Sequence, residues 1–190
     1  YIVSTRYHLS IALLYASKNK KQARLYLQAD PAEFSSEMIN RIRKTELFSR
    51  IITFEDKESE KLIGLLSKDP ENAKYIIPNV LYGKYKNVFQ SIGPTENIYV
   101  FNVRFPFWYY LKRTYHHFIK LEDRYLSFEK ELSLSVTEGQ LSRALAEYVP
   151  ELYPDTNFNS FQAIIVSKMP STPPKDLKSK IIVDDTKVLE

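Results

Sequence analysis

The chain opens with YIVS, a short apolar β-branched run, and then turns through TRYH. In the LSIALLYASKN that follows, Leu9, Ala12, Leu13 and Ala16 recur at helical spacing, while polar residues break the opposite side. KNKKQ reads as an exposed helix end, where lysines suit the negative pole of the helix dipole. ARLYL and RIITF read as second and third strands. Between them, PAEFSSEMINRIRKTELF sets Phe34, Met38, Ile39 and Ile42 on one helical face.

The next stretch, DKESEKLIGLLSKDPENAKYIIPNVLYGKYKNVFQSI, supplies one or two further helices. A break at Asp69-Pro70 is expected, because the residue before a proline resists the α region. NIYVFNV reads as a fourth strand, FPFWYYLKRTY as a short aromatic helix and HHFIKLE as a fifth strand. TEGQLSRALAEYV reads as a helix with Thr137 as its N-cap. SFQAIIVSK and SKIIVDD are late strands, joined by the proline-stiffened MPSTPPKDL. There are no internal repeats and no low-complexity tract.

Alternation of strand and helix predicts an α/β fold: a Rossmann-like, mainly parallel sheet with helices on both faces. In such sheets ligands sit beyond the carboxyl ends of the strands, where strand order reverses. That rule selects three loops: STRYH after the first strand, FNVRFP after the fourth and LEDRYLSF after the fifth. Loop position makes Thr5, Arg6, Tyr7, His8, Asn102, Arg104 and Arg124 candidates for substrate binding, beside the acids Glu122 and Asp123.

Composition narrows the chemistry. The four glycines, Gly64, Gly83, Gly93 and Gly139, are scattered, whereas phosphate-cradling loops cluster them between a strand and a helix. A nicotinamide dehydrogenase and a P-loop NTPase are therefore disfavoured. With no cysteine, the chain has no disulfide framework, zinc ribbon or thiol nucleophile. A net charge of +4 suits anionic ligands or a negative membrane face without marking a nucleic-acid binder. No apolar run is long enough to span a bilayer. The start YIVST lacks an initiator Met and any charged n-region, so no signal peptide is read and a few residues before Tyr1 are expected.

Each polar constellation has a plainer reading beside the functional one. On a strand, neighbouring side chains point to opposite faces, so only one of Glu122 and Asp123 can face a cleft. A carboxylate there can accept the proton of an attacking hydroxyl; a solvated strand end paired with Arg124 is the plainer alternative. His8 can meet a phosphate or sugar hydroxyl, or simply close the first turn of a helix. His116 and His117 diverge as strand neighbours and make a poor metal pair. Trp108 and its aromatic neighbours read as core rather than as a base-stacking platform. Asp184-Asp185 reads as a turn. The basic SKNKKQ reads as a solvated helix end, or as a contact with anionic lipid.

YIVSTRYHLSIALLYA and FIKLEDRYLSF together resemble bacterial glycosyltransferases of the lipooligosaccharide sialyltransferase and polysialyltransferase type. In that family a first strand leads into a Thr-x-Tyr/Leu-His-Leu segment. An acidic motif of two acids and Gly, often followed by a Ser with an aromatic, supplies the general base. PPKDLKSKIIVDD is similar to segments that join the two lobes of such proteins. The likeness covers most of the chain loosely and only these segments specifically. Arg124 stands where the family has Gly, and nothing matches the His-Pro motif of its nucleotide-binding lobe.

The resemblance implies that residues 1–168 form the N-terminal, acceptor-side lobe of a two-lobed GT-B enzyme. Residues 169–190 would form a connector and late strand leading to a second lobe. It further implies an inverting, metal-independent transfer from a CMP-sugar such as CMP-sialic acid, in capsule or lipopolysaccharide biosynthesis. Asp123 would be the base and Glu122 its neighbour, with no cofactor beyond the nucleotide-sugar substrate. The implied partners are a glycan acceptor and a nucleotide-sugar donor, with no nucleic acid. Peripheral contact with the inner face of the cell membrane and a homodimer are compatible with a cytoplasmic location. Alternatives are glycerophosphate transfer from CDP-glycerol and a non-catalytic Rossmann-like domain that binds a glycan or a partner.

Overall fold

The structure, a computed structural model, describes residues 1–19, 22–28, 33–55, 58–101, 107–122, 148, 160–167, 169–171, 173 and 175–184. Strands β1 (Ile2–Val3), β2 (Ala23–Gln28), β3 (Phe48–Phe54), β4 (Ile98–Val100), β5 (Phe118–Leu121), β6 (Phe161–Val166) and β7 (Ile181–Val183) alternate with helices α1 (Arg6–Asn19), α2 (Ser36–Lys44), α3 (Glu58–Lys68), α4 (Pro70–Phe89) and α5 (Phe107–Thr114). They form one seven-stranded sheet in the order β3-β2-β1-β4-β5-β6-β7, with every pair parallel. This is the Rossmann-like α/β sheet that the alternating pattern predicts. Strand order reverses between β1 and β4, and that is its topological switch point.

Period-two alternation divides the core into two layers. Ile2, Tyr26, Ile98, Val100 and Phe118 pack with α3, α4 and α5, whereas Tyr1, Val3, Leu25, Leu27 and Leu121 pack with α1 and α2. The first layer is strongly aromatic. Trp108 stacks on Phe161 (5.3 Å between centroids) and meets Phe118 edge-on at 4.7 Å. Local chemistry sets the helix starts. Ser35 Oγ accepts the Met38 N–H (3.2 Å) at α2. Asp69 accepts the Asn72 N–H (3.2 Å) at α4, where Pro70 fits the first turn because its missing N–H needs no partner. The expected break at Asp69-Pro70 thus separates α3 from α4.

Two expectations shift. α1 begins at Arg6 rather than Leu9, because Thr5 acts as its cap; the hydrophobic period starts later than the hydrogen bonding does. β4 ends at Val100, short of the expected NIYVFNV, and β5 spans Phe118–Leu121 within the longer HHFIKLE. The helix expected over 137–149 falls almost wholly outside the described residues; Tyr148 is described and packs against the aromatic layer.

Candidate functional site

At the switch point the described polar groups are bonded to one another, and His8 and Lys120 are buried. Thr5 Oγ1 accepts the His8 N–H (3.2 Å), and the Thr5 carbonyl accepts the Leu9 N–H (3.0 Å). Arg6, Tyr7 and His8 therefore lie in the first turn of α1 and not in a loop. The His8 ring is only 2% exposed. It stacks on Phe101, 4.3 Å away and within 11° of parallel, and its Nδ1 accepts the Ser4 N–H at 3.4 Å. Ser4 Oγ donates to Gln28 Oε1 (2.6 Å) across the ends of β1 and β2. Arg6 turns to Glu33, its backbone N–H reaching Oε2 (3.1 Å) and its Nε the carbonyl (3.0 Å).

Lys120 completes this plug. It is fully buried on β5, and its Nζ donates to the Phe101 carbonyl at 2.8 Å. A lysine so placed requires hydrogen-bonding partners, because an ammonium without them is costly to remove from water. The bond ties β5 to the chain just beyond β4.

The ends of β5, β6 and β7 are arranged differently. The Glu122 N–H extends the ladder to the Ile165 carbonyl (3.0 Å), and Asp184 does the same to Val166 (2.9 Å). Glu122 Oε2 then accepts both the backbone N–H (2.7 Å) and the hydroxyl (2.6 Å) of Ser167. Two charge-assisted bonds to one oxygen fix the carboxylate against β6. No described residue bonds Oε1. Asp184 Oδ2 accepts the Tyr15 hydroxyl (2.6 Å), and Lys18 Nζ lies 3.8 Å from Oδ1. Burial, and then the Asp184 carboxylate, push the Tyr15 phenol well above its ordinary range, so it stays a protonated donor.

Between these groups lies a cavity of about 40 Å³, bordered by Tyr7, Ile11, Leu121, Glu122, Ser167 and Asp184. It has room for roughly one water-sized group. Its walls combine carboxylate and hydroxyl groups with an apolar floor. Wider hollows of about 400 and 610 Å³ lie elsewhere, one at the amino ends of the strands around Arg24 and Glu96, the other between α1 and α2. Neither holds a candidate site residue apart from Arg6, which borders the second.

Of the residues singled out by sequence, the structure brings Tyr7 and Glu122 to one cavity and places Thr5 and His8 at the switch point. Asn102, Arg104, Asp123 and Arg124 lie outside the described residues. Sequence reasoning missed Lys120, Tyr15, Ser167 and Asp184 as partners. Ser167 and Asp184 follow IIV runs, so the end-of-strand rule, applied to β6 and β7 as it was to β5, would have found them. Asp184, expected in a turn, is held by Tyr15; Asp185 lies outside the described residues. His117 Nδ1 lies 2.8 Å from Gln162 Nε2. Among the described residues no group of three or more His, Asp or Glu could hold a metal ion. Compared with protein-family models, curated proteins and solved structures, the chain matches none.

Proposed function

We propose that the chain is the acceptor-side lobe of an inverting, metal-independent glycosyltransferase, sialyltransferase-like and using a CMP-sugar donor. The observation that carries this reading is the open polar edge at β5–β7. There Glu122 is anchored through one oxygen by Ser167, beside a small cavity, immediately before Asp123. In this reading Asp123 takes the proton of the acceptor hydroxyl as that oxygen bonds to the anomeric carbon. The bond from that carbon to the nucleotide phosphate breaks, and its electron pair leaves with the phosphate. Inversion follows from attack opposite the leaving group. In this reading the Glu122 carboxylate, fixed by Ser167, offers an acceptor to a neighbouring sugar hydroxyl.

Transfer assays on the natural full-length protein test it, with labelled CMP-sialic acid and CDP-glycerol offered in parallel. The expected result is sugar transfer from the CMP-sugar, reduced about a hundredfold in Asp123→Asn. Transfer from CDP-glycerol instead would replace the donor. Turnover unchanged in Asp123→Asn would remove that residue from the mechanism. The non-catalytic reading rests on the same cavity: glycan binding without transfer from either donor would establish it.

A further inference from the structure

We draw no further inference here: the strongest candidate, the outer edge of β7 with its exposed Ile182 and Val183, carries none, because nothing among the described residues shows what covers it.

Discussion

The carboxyl edge of this sheet has two polar regions that use their charges in opposite ways. At β1/β4, His8 and Lys120 are buried and serve packing: one ring lies on Phe101, and one ammonium is bonded to its carbonyl. At β5–β7, Glu122 and Asp184 are only partly buried; Ser167 holds Glu122 through one oxygen, while Tyr15 and Lys18 meet the two oxygens of Asp184. The first arrangement places buried polar groups where Rossmann-like sheets ordinarily receive ligands. The second leaves acceptors at a cavity that solvent can reach. Among the described residues, burial thus separates polar groups spent on packing from polar groups that face a cavity.

The largest effect should come from removing the proposed base, the roughly hundredfold loss in Asp123→Asn described above. Next comes the plug. Lys120→Ala leaves the Phe101 carbonyl unanswered beside a void and should cost about 3 kcal/mol in denaturant unfolding. Lys120→Met fills the space with an apolar chain and should cost clearly less. Equal losses would mean that Lys120 acts through its hydrogen bond, which both variants lose, rather than by the volume that Met restores, and the contrast between the two regions would weaken. At the open edge the order should reverse. Ser167→Ala removes one of the two donors to Glu122 and should change stability by no more than about 1 kcal/mol. It should still weaken glycan binding measurably by calorimetry. A large stability loss there would mark Glu122–Ser167 as structural.

The smallest effect concerns pH. The phenols of Tyr15, Tyr26, Tyr99 and Tyr115 are all raised, chiefly by burial. Folding therefore favours their protonated form. Their contribution to stability is whole below the ordinary value of 10.0 and is lost as pH rises through the raised folded values. Ultraviolet titration should show exposed tyrosines ionising first and these four only with loss of structure. Simple ionisation of all the tyrosines near pH 10.0 would contradict the burial described.

The alternation of strands and helices was legible where an element's periodicity matches what it buries, as in LSIALLYA for α1; in YIIPNVLY of α4 only Ile77 and Leu81 are buried. Cap chemistry was harder to place. Thr5 starts α1 before any apolar residue marks it, and so it moved Arg6, Tyr7 and His8 from loop to helix. Long-range pairing was invisible: nothing local says that Lys120 reaches Phe101 or that Tyr15 meets Asp184, 169 residues away. Glu122 was legible as an acid at a strand end. Ser167 was open to the same end-of-strand rule, but its pairing with Glu122 was not legible, because β5 and β6 become neighbours only in the folded sheet.

The most direct test of the contrast is amide chemical-shift mapping of the full chain titrated with lactose, a neutral disaccharide. The account predicts shifts gathered at Tyr15, Glu122, Ser167 and Asp184, with Ser4, His8 and Phe101 left unmoved. Shifts centred on Ser4, His8 and Phe101 would contradict it, placing the ligand at the switch point.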